Sequence, residues 1–343
     1  MMKKVIMGLL IVVLTIGLTA CGQAPADTQE NETEISNKQN ESASPEAALD
    51  YPTETLNWTI AFGPGGGNDI MARTLIEILE KYDLYGHPIV PENREGGSGA
   101  VGWGFLNNQH GNPYHISTTS GSFITTPLLS EPGFNYEHFT HIALMATDDL
   151  LFLVPGDAPY ATLADFVEAA QANNMKIGGI GAANVDRLVP ATFAQEAGFD
   201  FEYVSFNGQG ELVTAILSGS LDAIMGNPAE VVGQIDAGEL KPLAFSGQQR
   251  LDQYPDVPTF TEEGYDVNIS MPRGVIMPGG VSEEVRNWWI ETMKKVAETP
   301  EWQAYIDDNM LTESILYGDD FTKYLEETNA VFEVMMRDLE IIE

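Results

Sequence analysis

Gly63-Pro64-Gly65-Gly66-Gly67-Asn68-Asp69 is the run of this chain most suited to chemistry. Glycine lacks a Cβ, so ligand oxygens can approach its backbone N–H groups closely. A helix starting at the same point adds the positive end of its dipole, which makes the turn an anion site. Asp69 has the side chain of a helix N-cap. Loops of similar make-up recur at Thr118-Thr119-Ser120-Gly121-Ser122, Gly178-Gly179-Ile180-Gly181-Ala182-Ala183-Asn184 and Phe206-Asn207-Gly208-Gln209-Gly210. Each alone is a common structural turn. Together, two from each half of the chain, they predict facing anion-binding rims.

That chemistry is capture, not catalysis. All five histidines fall between His87 and His141, and the close pair His138 and His141 has no carboxylate at metal spacing. Cys21 is the lone cysteine, which excludes disulfides, thiol catalysis and cysteine metal sites in the mature domain. No catalytic residue, metal or cofactor is expected. Dinucleotide binding is the competing enzymatic reading, since Gly63-x-Gly65 follows a strand and Glu92 ends the next one. Its third glycine position is Asn68, however, which breaks the fingerprint.

The elements that must position these loops follow from periodicity. Trp58, Ile60 and Phe62 alternate along a strand, and Ile70, Leu75, Ile78 and Leu79 give the next segment a helical apolar face. Helical patterns recur at 100–109, 163–172, 185–197, 211–217 and 229–237. Short apolar runs at 88–90, 115–118, 143–154, 176–178, 201–204, 221–225 and 243–245 separate them. That alternation predicts an α/β protein of βαβ units with largely parallel sheets, binding ligand beyond the strand ends. Phe321, Tyr324, Leu325, Phe332, Met335, Leu339 and Ile342 predict a long closing helix with one buried stripe.

The chain opens with Lys3, Lys4, an apolar run over 5–18 and then Leu18-Thr19-Ala20-Cys21-Gly22. Charge, a short apolar core and small residues predict a secretory signal over 1–20. Cys21 resembles the lipidated cysteine of a bacterial lipoprotein, which implies anchoring to the membrane by lipid on Cys21. Residues 21–51 then form a polar tether. The remaining length suits two lobes. The formal charge is −35, and two more negative once Lys3 and Lys4 leave with the signal. Nucleic acid is thereby excluded as a partner. The acidity reflects a salty or alkaline habitat or a preference for cationic ligands; its spread along the whole chain favours habitat.

Phe62 to Asp69 with Ala72-Arg73, Glu92 to Gly99, Gly208-Gln209-Gly210-Glu211 and Pro255-Asp256-Val257-Pro258-Thr259 together resemble the motifs of the receptors of tripartite tricarboxylate transporters, the Bug family. The resemblance spans about residues 56–340. It implies a periplasmic-binding-protein type II-like fold, with lobe I over 52–151 and 248–343 and lobe II over 152–247. It also implies a monomeric extracytoplasmic receptor that closes on a small organic acid, a di- or tricarboxylate, and delivers it to membrane transporter subunits. Reporting the ligand to a two-component sensor is the alternative use of the same fold. Expected ligand contacts are Phe62, Gly65, Gly66, Gly67, Asn68, Ser120, Gly121, Ser122, Gly181, Ala182, Ala183, Asn184, Asp186, Asn207, Gly208 and Arg273. Ala182 and Ala183 stand where the family often carries Ser, and Pro272-Arg273-Gly274 replaces a frequent Trp-Arg-Gly. Arg273 either grips a ligand carboxylate or forms an inter-lobe salt bridge. Asp186 either meets a ligand ammonium, or caps or pairs with Arg187. Arg73, four residues after Asp69, is expected to pair with it along the helix.

Overall fold

The computed structural model describes residues 49–343 apart from Ala182, Ala183, Asn207 and Asn268. The expected signal, Cys21 and nearly all of the tether therefore lie outside the described residues, as do three of the expected ligand contacts.

The chain runs β1 (Leu56–Ile60), α1 (Gly67–Lys81), β2 (Ile89–Asn93), α2 (Ala100–Asn107), β3 (His115–Thr118), α3 (Ser122–Leu129), β4 (Phe139–Asp148) and β5 (Leu151–Pro155). It continues through α4 (Leu163–Ala172), β6 (Met175–Ile180), α5 (Val185–Ala197), β7 (Phe201–Phe206), α6 (Gln209–Leu217), β8 (Ala223–Gly226), α7 (Pro228–Asp236) and β9 (Leu240–Phe245). Last come β10 (Met271–Pro278), α8 (Glu283–Ala297), α9 (Pro300–Asp308), β11 (Thr312–Tyr317) and α10 (Asp319–Asp338).

Two sheets organise these elements. The first has the order β11-β4-β10-β3-β1-β2 and the second β7-β6-β8-β5-β9. β1 pairs parallel with β2 and β3, and β6 pairs parallel with β7 and β8. β10 lies antiparallel between β3 and β4, and β5 antiparallel between β8 and β9. The sheets are thus mixed, not largely parallel. The apolar run 143–154 is also two strands, one in each sheet. Every residue of the run is buried, so hydrophobicity alone conceals the break; the polar pair Asp148-Asp149 marks it. The chain passes between the sheets there and returns between β9 and β10.

Packing follows the 3.6-residue period. Met71, Ala72, Leu75, Ile76, Ile78 and Leu79 form the inner face of α1, whereas Ile70 points to solvent. Trp58, Trp289 and Trp302 fill the core beneath that helix. A second core joins Phe152, Phe166 and Phe193 to Phe321, Leu325 and Met336, so α10 lays its stripe on the body. Tyr324, Met335, Leu339 and Ile342 pack partly buried against the same core, the last two beyond the helix end at Asp338, and Met336 joins the stripe fully buried.

Candidate ligand-binding cleft

The turn between β1 and α1 builds the first wall. Gly66 is the N-cap, and Asp69 sits inside the first helical turn instead of capping it. Its partners explain the shift. The Asp69 carboxylate accepts the Gly65 N–H, Arg73 Nε and the Asn93 amide, each at 2.9 Å. Burial opposes that charge, but the bonds from Arg73, Gly65 and Asn93 outweigh it and hold the carboxyl below the usual aspartate range. Asp69 ties the glycine turn down from behind. Gly65, at φ +85°, occupies the left-handed region that favours glycine. The N–H groups of Gly67 and Asn68 open the helix and have no carbonyl within it to receive them. Asn68 turns its side chain inward, donating to the Thr119 carbonyl at 3.1 Å and accepting from Thr118 Oγ1 at 3.0 Å. Backbone is what this wall offers.

A cleft of about 450 Å³ lies between the sheets. Phe62, Gly65, Gly66, Gly67, Asn68, Ser120, Ser122 and Arg273 line it from the first sheet's loops, and Asn184, Asp186 and Gly208 from the second's. Gly121 and Gly181 do not line it. A Cβ on Gly121 would stand 2.8 Å from Asn184 Oδ1 and 2.9 Å from Val185 Cγ2, so this glycine lets the sheets' loops touch. The Gly181 carbonyl accepts the Tyr203 hydroxyl at 2.9 Å. Ala182, Ala183 and Asn207 are outside the described residues.

Charge inside the cleft is unevenly divided. Arg273 is buried and its Nη2 is bonded to Asp148. The two sit on adjacent strands of one sheet, so the pair is not the inter-lobe bridge considered from sequence. Asp148 does reach across: its other oxygen accepts the Asn227 amide at 2.8 Å from the β8–α7 loop. Asp186 accepts the Ile180 N–H and the Asn184 amide, both at 3.0 Å. Burial first, then the like charges of Asp148 and Glu230, push its carboxyl up to about 7 against those bonds. The Glu230 side chain reaches solvent, yet the enclosing walls and Asp148 raise its carboxyl too.

Several polar atoms here find no partner among the described residues: Ser120 Oγ, Asn184 Oδ1, both amide atoms of Gln209 and Arg273 Nε. Buried polar groups are ordinarily satisfied, so a convergent set of orphans marks a place for a ligand. A larger hollow of about 550 Å³ is lined by Asp149, Ser270 and Thr312 among others. There Asp149 is bonded by Ser270 Oγ and, at 2.8 Å, by Thr312 Oγ1, leaving no such set. The cleft is the better site. Among the described residues no group of three or more His, Cys, Asp and Glu could hold a metal.

Asn227, Glu230 and Glu95 also line the cleft without having been expected, as does Gln209, which lies in one of the expected loops though not among the expected contacts. Gly226-Asn227-Pro228 carries a readable signal: it has the same strand-end chemistry as the loops at 63–69, 118–122 and 206–210, directly before a helix.

Comparison with known proteins agrees with this geometry. The family described as "Tripartite tricarboxylate transporter family receptor" matches residues 71–341. Protein BugT of Bordetella pertussis is 25% identical over 250 residues, covering 71% of this chain and 76% of that protein. An R. palustris protein solved with adipate superposes with TM-score 0.76 at 20% identity, covering 85% of this chain and 99% of that one. MatC of Rhodopseudomonas palustris, solved with malate, gives 0.72 at 19%, covering 83% and 99%. The fold is therefore the two-lobed periplasmic-binding-protein type II arrangement, and the family is one of solute receptors, not enzymes. This chain belongs to the tripartite tricarboxylate transporter receptor family.

Proposed function

We propose that the protein captures a small organic carboxylate between its lobes, 52–151 with 248–343 against 152–247, and passes it to the membrane subunits of a tripartite tricarboxylate-type transporter. The observation that carries this reading is that the cleft is lined both by Gly67 and Asn68, whose N–H groups open α1 without a helical acceptor, and by Ser120 and Arg273, whose Oγ and Nε have no partner among the described residues. Each of them is a group to which a carboxylate oxygen can bond. The two similar structures with adipate and malate support the ligand class. Thermal-shift titration of the purified protein with succinate, malate and adipate tests it, since a ligand bound by the folded state raises the melting temperature. No shift and no calorimetric heat with any carboxylate would sink the reading.

Cys21 carries the lipid that keeps this receptor on the outer face of the cell membrane. Leu18-Thr19-Ala20-Cys21 and the polar tether after it support that assignment. Cys21→Ser should abolish labelling by radioactive palmitate; undiminished labelling would refute it.

A further inference from the structure

Asp148 closes β4 and Asp149 follows it, and the two face opposite ways, as neighbouring residues of an extended chain do. Asp148 turns to the cleft, where it meets Arg273 and the Asn227 amide. Asp149, with Thr147, lines the hollow behind, between the 248–253 loop and the corner that joins α9 to β11. Asp149 is 2% exposed, and among the described residues its side-chain partners are two neutral hydroxyls. Ser270 Oγ donates to Oδ1, and Thr312 Oγ1 donates to Oδ2 at 2.8 Å. A carboxylate buried without a cation is costly, so its bonds call for an account.

Those hydroxyls hold Asp149 to the first sheet's side, because Thr312 opens β11 and Ser270 stands directly before β10. The next residue belongs to the other sheet. Leu150 N–H donates to Ser246 Oγ at 2.8 Å, and its carbonyl accepts the Ser246 N–H at 2.9 Å, directly after β9. The bonds of the outgoing chain thus change sheets across the single link from Asp149 to Leu150. On the return, Asp266 N–H is bonded to Glu196 of α5 at 2.6 Å, and Tyr265 packs on Phe193 of the same helix. Ser270 then joins the first sheet's side through Asp149.

We propose that Asp149 is the clasp of the hinge. Through Ser270 and Thr312 it gathers both crossings onto the first lobe, so that the second lobe turns about the Asp149–Leu150 link. This inference rests on the capture-by-closure reading and goes beyond it by naming the residues that guide the motion. Asp149 lines the hollow and not the cleft, so it is a positioning residue. Cleft and hollow lie on opposite faces of the link, and a turn that narrows one widens the other. Without the clasp the crossings gain freedom, which a ligand that closes the lobes has to remove.

Calorimetry with succinate, malate and adipate, together with small-angle scattering, compares the parent with two variants. Ser270→Ala combined with Thr312→Val removes both hydroxyls. Asp149→Asn keeps an oxygen for one of them and an amide that donates to the other, so it retains the clasp without the charge. The double variant should bind the tightest of the three probes about tenfold more weakly, and its ligand-free radius of gyration should exceed the parent's. Asp149→Asn should stay within about twofold of parental affinity. A lower melting temperature with parental affinity and scattering would make Asp149 a tie of the fold only and overturn the proposal, as would equal weakening in Asp149→Asn. If the double variant does not fold, Thr312→Val alone gives the same comparison with one bond removed. No binding of any probe by the parent would overturn the receptor reading, and ligand-free scattering of the variants would still decide the clasp.

Discussion

Arg273 lies against Gly67 so closely that a Cβ on the glycine would stand 2.6 Å from the guanidinium Nη2. The missing side chain is what lets a β10 cation rest on the first turn of α1. Gly66, one residue earlier, has nothing within 4 Å of its Cβ position. Gly67→Ala should therefore push Arg273 from the helix end and weaken carboxylate binding by about tenfold or more, the scale of one charge-assisted hydrogen bond. Gly66→Ala should cost less, and Gly66→Val more than Gly66→Ala, because the larger group projects into the cleft. Calorimetry on the three variants gives the order.

Asp148 has two duties that can be separated by substitution. It neutralises Arg273 and accepts the Asn227 amide from the other sheet. Removing one partner of a buried pair leaves the other charge uncompensated, at a cost of about 3–5 kcal/mol. Asp148→Asn should lower the urea midpoint accordingly with little change in slope. Asp148→Asn with Arg273→Met should recover much of that loss while losing carboxylate binding. A double variant no more stable than Asp148→Asn would show that the charge of Arg273 is not what the single change exposes.

The legibility of this protein in its sequence divides along a physical line. The glycine turn, the helix after it and the hydroxyl loop at Ser120 are local features, set by residue type over a few positions. The signals lost were those of partnership. The pair of Asp69 with Arg73 is legible from its spacing, but the bond from Asn93, 24 residues on, and the tie to Gly65 are not, and with them Asp69 sits inside the helix instead of capping it. Asp148 gives no local sign that it will meet Arg273, 125 residues later. The antiparallel entry of β10 between β3 and β4 is likewise a long-range event; its apolar residues read equally well as any buried strand.

Asp186 makes stability depend on pH in an unusual sense. Its carboxyl titrates near 7 in the folded protein and near the ordinary value, about 3.9, when unfolded. Between those values the folded state holds a proton that the unfolded chain has released. Stability is therefore greatest at the acid end of this window and is lost as pH rises through 7. Each pH unit separating the two values corresponds to about 1.4 kcal/mol, so the loss amounts to a few kcal/mol at most. The melting temperature of the ligand-free protein should fall from pH 5 to pH 8, and Asp186→Asn should flatten that decline. An equal slope in the variant would assign the pH dependence to the protein's other carboxylates.

Gly121 offers a handle on closure. Its α-carbon faces Asn184 Oδ1 and Val185 Cγ2, where a Cβ would approach to 2.8 and 2.9 Å, so a loop of one lobe touches the start of α5 in the other. Gly121 is at φ −53°, within the ordinary helical region, so a larger residue there is not strained by backbone geometry. Its effect comes from contact alone. Gly121→Val should prop the lobes apart without unfolding either core. A ligand that bridges both walls binds the closed arrangement, and its apparent affinity falls with the population of that arrangement. The variant should bind carboxylate at least tenfold more weakly, and its radius of gyration at saturation, by small-angle scattering, should stay above that of the ligand-bound parent. Parental affinity with a parental scattering profile would mean that the contact yields by local adjustment and that closure does not depend on it.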